Sequence, residues 1–192
     1  MIKAIIFDCY GVLLGQGFEH TYAAAGGDIE ADTDFIHEQL STMNRGEQSV
    51  EEFDRHIAER LRIPLETWQS MKFRQELPSV HLLNFIKNEL KPKYKIGMIS
   101  NGSTRSIERR LSAEQLALFD FKAISAELGL LKPDPEIYKH TARNLGAELE
   151  ECVFVDDYPE YVKAAEALGM QGVVYVRFKD FKNVLNDVLS KK

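Results

Sequence analysis

Apolar residues follow two rhythms along this chain. Short, nearly uninterrupted apolar runs occupy 3–8, 94–100, 121–125, 152–156 and 172–176, the signature of strands buried on both faces. Between the last four runs, apolar residues recur three and four positions apart. Ile137, Tyr138, Ala142 and Leu145 share one face of a helix over 135–145 that Gly146 stops, and a helix over 158–168 ends likewise at Gly169. Phe181, Val184, Leu185 and Val188 mark a closing helix over 180–189, and Ser112-Ala113-Glu114 reads as a fresh helix start that divides 103–118 in two. Strands alternating with helices predict an α/β fold, a parallel sheet covered by helices.

The stretch from about 15 to 77 breaks this alternation, since it carries helical signals and none for a strand. A helix over 34–43 would place Phe35, Ile36, Gln39, Leu40 and Met43 near one face. Ser49 and Glu52 form a capping-box pattern ahead of Val50, Phe53, Ile57 and Leu61, and Ile63-Pro64-Leu65 opens a further helix containing Trp68 and Met71. Ligands of open α/β sheets bind beyond the carboxyl ends of the strands, so a helical unit inserted after the first strand is placed to cover them. The expected organisation is a core of residues 1–14 and 78–192 with a small helical cap of residues 15–77. A bundle that only enlarges the core is the alternative.

Composition narrows the classes. With 192 residues, 44% hydrophobic and 28% charged, the chain suits one core with a small accessory unit. Thirty acidic residues against twenty-four basic ones give a net charge of -6, which argues against nucleic acid as a partner. No run approaches the roughly 18 to 20 apolar residues that a membrane span needs, so no membrane is expected and a cytoplasmic location follows. Cys9 and Cys152 have neither disulfide nor metal spacing and are read as packing residues; a thiolate at Cys9 would be disfavoured by the neighbouring Asp8.

Polar groups stand at the ends of four of the expected strands. Asp8 ends the first, and Gly11 lets the chain turn away behind it; Asp8 alone is equally well a turn cap. Ser100-Asn101-Gly102 ends the second strand and opens a helix, a place for an anion or a simple N-cap. Lys132 follows the third strand in a loop stiffened by Pro133 and Pro135, which would hold it as a fixed cation rather than a solvated one. Asp156-Asp157 ends the fourth, where adjacent buried carboxylates repel unless something positive joins them. Three acids with main-chain oxygens make a hard-oxygen set suited to Mg²⁺, although Asp157 is also a possible helix cap.

In this order, Asp8-Cys9-Tyr10-Gly11-Val12, Ser100-Asn101-Gly102, Lys132-Pro133-Asp134-Pro135 and Val155-Asp156-Asp157 resemble the four motifs of the haloacid dehalogenase-like hydrolase superfamily. The form is that of its phosphatase-rich subfamily, with a helical cap after the first strand. The resemblance implies a Rossmann-like sheet of order 5-4-1-2-3 and a small phosphorylated substrate. It makes Asp8 the nucleophile of an aspartyl intermediate and has Ser100, Asn101 and Gly102 hold the transferring group. Lys132 offsets negative charge on nucleophile and substrate. Mg²⁺ is held by Asp8, the Tyr10 carbonyl and Asp157, while Asp156 acts through a water or orients Lys132.

Tyr10 departs from that pattern, since phosphatases of the superfamily usually carry there an Asp that serves as acid and base. A tyrosine, with an ordinary pKa of about 10, is a poor base at neutral pH, so slow turnover is implied. The same tyrosine resembles the metal-independent 2-haloacid dehalogenases of the superfamily, which are the chief alternative; a non-catalytic phosphate-binding member is the second. Phe18, His20 and Tyr22 follow the first motif closely enough to reach a cleft, and His20 is either a candidate acid or base or, as is commoner, a surface histidine on a short helix. Arg45 either meets an anionic substrate or ends a turn, and Trp68 either lines a pocket or fills a core.

Overall fold

β1 (Ala4–Asp8) is buried along its whole length, which is why Ala4 to Phe7 can be apolar without a break. In the computed structural model, which describes residues 1–15 and 17–190, it lies at the centre of a five-stranded sheet. The other strands are β2 (Lys95–Ser100), β3 (Phe121–Ile124), β4 (Cys152–Asp156) and β5 (Gln171–Val174). All pair in parallel, in the order β3-β2-β1-β4-β5, the order 5-4-1-2-3 read from the other edge. The outer strands β3 and β5 are partly exposed, and β5 stops at Val174, short of the expected 176, where Val176 lies open to solvent.

Side chains alternate across the sheet, so β1 feeds two cores. Ile5 and Phe7 join Met98, Val153, Val155 and Phe181 on one face. Ala4 and Ile6 join Ile137, Tyr138, Leu145 and Phe154 on the other. Each fully buried Ile or Phe contributes about 1.5–3 kcal/mol. The first face is covered by α11 (Phe178–Ser190) and by α5 (Val80–Phe85), which runs on into a π-helical turn over Ile86–Leu90, a segment for which the sequence pattern predicts no element. The second is covered by α9 (Pro135–Leu145) and α10 (Pro159–Ala167). Asp134 caps α9 through the Glu136 amide at 2.8 Å, and Gly146 ends it in the left-handed region, so its start and stop are set locally. Cys9 and Cys152 are free and buried, as packing residues should be.

Between β1 and β2 the chain forms α1 (Phe18–Ala24), α2 (Thr33–Asn44), α3 (Val50–Leu61) and α4 (Leu65–Gln75). The capping box is present at α3, with the Glu52 amide donating to Ser49 Oγ at 3.2 Å and the Ser49 amide to Glu52 Oε2 at 3.0 Å. These helices share their own apolar cluster around Tyr22, Phe53, Ile57 and Trp68. Trp68 is therefore core, its indole donating to Asp54 at 2.8 Å. Tyr22 also turns inward and donates to Asp32 at 2.5 Å, so it does not reach a cleft. Arg45 pairs with Glu47 at 2.7 Å.

The two crossings between these helices and the sheet run side by side. Gly15 donates to the Leu77 carbonyl and Ser79 to that of Leu13, both at 2.8 Å. Ion pairs also join the inserted helices to the core: Arg105 and Arg109 reach Glu51 at 3.0 and 2.8 Å, and Arg110 reaches Glu76 at 2.9 Å. Arg105 belongs to α6 (Thr104–Glu108), which is followed by α7 (Ala113–Leu116) with Ser112 as its cap, the division expected from sequence. Among the described residues no helix is long and apolar enough to cross a membrane.

Candidate active site

The parallel register sets Asp8 beside Ile99, one residue before the end of β2, and carries β4 to its end at Asp156, opposite Val174. Asp8, Ser100 and Asp156 thus stand at one end of three adjacent strands. Lys132 comes to the same place from the loop after α8 (Ser125–Leu128). Oxygens of Asp8, Asp156 and Asp157 all lie within 4.8 Å of one another.

Lys132 is 3% exposed and its ammonium sits between two carboxylates, donating to Asp8 Oδ1 and, at 2.6 Å, to Asp156 Oδ2. The ring of Tyr161 lies 4.9 Å beneath it, a cation–π contact that adds to its fixation. Its backbone is clamped by the Asn101 carboxamide, which accepts from the Lys132 amide at 2.8 Å and donates to the Lys132 carbonyl at 3.0 Å. This second anchor, beyond the two prolines, is a role for Asn101 that no local pattern announces.

Asp156 has both oxygens engaged, since Oδ1 accepts from the Tyr158 amide at 2.9 Å. Asp157 does not: its Oδ1 is buried without a hydrogen-bond partner among the described residues. A buried acceptor left unpaired is costly. Gly11 explains how Asp157 comes so near β1. Its φ of 87° suits glycine, and a Cβ there would stand 2.1 Å from Asp157 Oδ2.

Ser100 is fully buried, and its Oγ has no well-formed hydrogen bond among the described residues. Next to it the Gly102 amide donates to Ser125 Oγ at 3.0 Å. That amide is thus committed within the protein; Asn101 and Gly102 line the cavity above the site, whereas Ser100 is fully buried beneath it. Tyr10 donates or accepts at Ser106 Oγ, 2.7 Å away, and burial pushes its phenol well above the ordinary range.

Burial pushes the Asp8 carboxyl up to about 7, with Asp156 and Asp157 acting the same way and Lys132 opposing. Asp157 is pushed up to about 6 by burial and then by Asp156. Burial alone would lower Lys132, but Asp8 and Asp156 outweigh it and hold the ammonium charged. The folded chain therefore keeps protons on Asp8 and Asp157 that the unfolded chain loses near pH 4, so stability falls as pH rises from about 4 toward 7. Urea midpoints measured in chelator should be higher at pH 5 than at pH 8, with a flatter profile for Asp8→Asn; a midpoint that climbs across this interval would contradict the geometry.

Above these groups lies a cavity of about 550 Å³ walled by both units. Phe18 and His20 of α1 line it, as do Asn44, Phe53, Lys72 and Glu76, whereas Tyr22 and Arg45 do not. Glu76 was not expected from sequence; it lies just after α4, and burial raises its carboxyl while Lys72 and Arg110 oppose.

Several curated relatives match parts of the chain. The rat bifunctional epoxide hydrolase 2 is 31% identical over 90 residues, covering 47% of this chain and 16% of that protein, so the chain spans well under a fifth of that enzyme. Solved structures match the whole architecture. A HAD family enzyme from Bacteroides thetaiotaomicron, solved with magnesium and inorganic phosphate, superposes with a TM-score of 0.70 at 21% identity, covering 96% of this chain and 99% of that one. A 2-haloacid dehalogenase from Pseudomonas syringae gives 0.58 at 18% identity, covering 91% and 86%. At such identities these two likenesses are of fold alone. The sequence model of the haloacid dehalogenase-like hydrolases runs over residues 2–169, nearly all of the sheet with the groups at its strand ends, and the chain belongs to that family.

Proposed function

We propose that the chain is a Mg²⁺-dependent phosphatase that acts on a small phosphorylated molecule through a covalent intermediate on Asp8. The observation that carries this reading is Asp157, a buried carboxylate with an unpartnered oxygen held against the nucleophile's loop by Gly11. A divalent cation supplies the partner that this oxygen lacks and the positive charge that three neighbouring acids need. The family and the magnesium and phosphate bound to the Bacteroides enzyme agree with it.

Asp8 Oδ attacks phosphorus, the bond from phosphorus to the leaving oxygen breaks, and that oxygen takes a proton from His20 or from water. Water then attacks the aspartyl phosphate, releasing phosphate and restoring Asp8. Ser100 Oγ and the Asn101 backbone hold the phosphoryl oxygens, and Lys132 balances charge that develops there. Mg²⁺ held by Asp8, the Tyr10 carbonyl and Asp157 would offset the repulsion between carboxylate and phosphoryl group. Asp156, both of whose oxygens are taken, orients Lys132. Residues 15–77 act as the cap that closes over the cavity.

Tyr10, tied to Ser106 and pushed upward by burial, is unsuited to be the base. His20 lines the same cavity, and its imidazole is a group able to give and take a proton. His20→Ala should therefore lower turnover by about 10²-fold and change the pH–rate profile; an unchanged profile removes His20 from the mechanism.

Tyr10 favours the second reading, metal-independent dehalogenation, because a halide leaves without a proton. The two are separated by a panel of phosphate monoesters and short 2-haloacids, each assayed with Mg²⁺ and with chelator. Phosphate release abolished by chelator is the expected result. Halide release indifferent to chelator would replace it with dehalogenation, and uptake of Mg²⁺ and phosphate without turnover would make the chain a binding protein.

A further inference from the structure

The cavity changes character with distance from Asp8. Its floor is charged, but the wall contributed by the inserted helices is apolar and aromatic: Phe18, Leu40, Met43, Val50 and Phe53 face inward there, with Tyr161 on the core side. Five carboxylates line the space, those of Asp8, Glu19, Glu76, Asp156 and Asp157, against the two ammonium groups of Lys72 and Lys132. Neither lysine is uncommitted. Lys72 donates to Asp54 at 2.7 Å and Lys132 to Asp8 and Asp156. Arg110, the nearby guanidinium, is spent on Glu76 at 2.9 Å.

A second anionic group on a substrate would therefore find no uncommitted lysine or arginine among the described residues that line the cavity, and would pass the exposed Glu19. A charged group that leaves water without a partner is costly. An apolar group there gains by leaving water. The volume of about 550 Å³ falls within the range of about 300–1,000 Å³ that encloses a small organic ligand, well beyond what the phosphoryl group alone occupies. Asn44 adds one neutral polar contact, its Oδ1 being buried without a partner among the described residues.

We infer that the substrate is a phosphate monoester of an uncharged, mainly apolar alcohol, and that sugar bisphosphates and phosphorylated acids are disfavoured because the apolar cap wall offers their second charge no free cation. This rests on the phosphatase reading and narrows it. The bond made and the bond broken are those already given; only the leaving alcohol is specified.

The test is a homologous series of n-alkyl phosphates from methyl to octyl, beside glucose 6-phosphate and fructose 1,6-bisphosphate, assayed with Mg²⁺ for phosphate release. The expected result is a rise in kcat/KM of up to about fourfold per methylene until the cavity is filled, with the bisphosphate the poorest substrate. Met43→Lys, at the last turn of α2 where a cation suits the helix, should flatten the series and raise the bisphosphate relative to octyl phosphate by about tenfold. Phosphate release that is flat along the series, or best on the bisphosphate, overturns the substrate class and leaves the phosphatase standing. Silence on every ester overturns both.

Discussion

Under the proposed mechanism, Asp8→Asn should lower turnover on the order of 10⁴- to 10⁶-fold, the scale on which loss of a covalent nucleophile is felt. The carboxamide keeps the size of the side chain and its place at the end of β1, where Asp8 is 5% exposed, but it has no nucleophilic oxygen anion. Lys132 retains Asp156 at 2.6 Å, so the variant still folds. In the absence of metal it gains stability at pH 8, because the carboxyl that burial pushes up to about 7 no longer has to be held ionised in a buried place. Steady-state phosphate release measures the first effect and urea unfolding in chelator the second. Turnover within about tenfold of the native enzyme would remove Asp8 as the nucleophile; loss of turnover with loss of fold would be separated from it by Asp8→Ala and by circular dichroism.

Lys132→Met has the largest expected effect on stability. The ammonium is shared by two buried carboxylates, and its removal leaves Asp8 and Asp156 with no cation beside them. Breaking a buried pair from one side costs about 3–5 kcal/mol. Turnover falls too, by about 10²- to 10³-fold, since a preorganised charge aimed at the reacting group is lost. The second change that isolates the cause is Asp156→Asn: in the double variant one of the two stranded charges is gone, so part of the stability should return while turnover does not. Chemical denaturation of the four proteins of this cycle decides it, and a double variant no more stable than Lys132→Met would show that the pair is not the source of the cost.

Much of the fold was legible because its determinants are short-range. Apolar runs announced five strands within one to two residues at most ends, and Ser49, Ser112 and Gly146 marked helix ends through contacts with residues at most four positions away. The exceptions have physical causes. β5 is an edge strand, so its exposed side weakens the pattern that marks its end. The segment Val80–Leu90 changes from α to π geometry, which blurs a 3.6-residue rhythm. Tyr22 looked suited to a cleft by its distance from Asp8 in the chain, yet its ring satisfies the inner cluster of the inserted helices and its hydroxyl satisfies Asp32.

At the site the division is sharper. Asp8, Ser100 and the Asp156-Asp157 pair could be named from the sequence because they stand at strand ends, where ligands of a parallel sheet collect, and Lys132 because two prolines stiffen its loop. What those residues do to one another could not. The Asn101 clamp on Lys132, the Ser125 hydroxyl on the Gly102 amide, the Tyr10–Ser106 contact and the Glu76–Arg110 pair join residues 23 to 96 positions apart. A local pattern reports only what a residue prefers over a few neighbours. Sequence alone determined which elements form and which chemical groups stand at their ends; the tertiary structure decided which of those groups meet, because strand register and helix packing set distances that propensity does not encode.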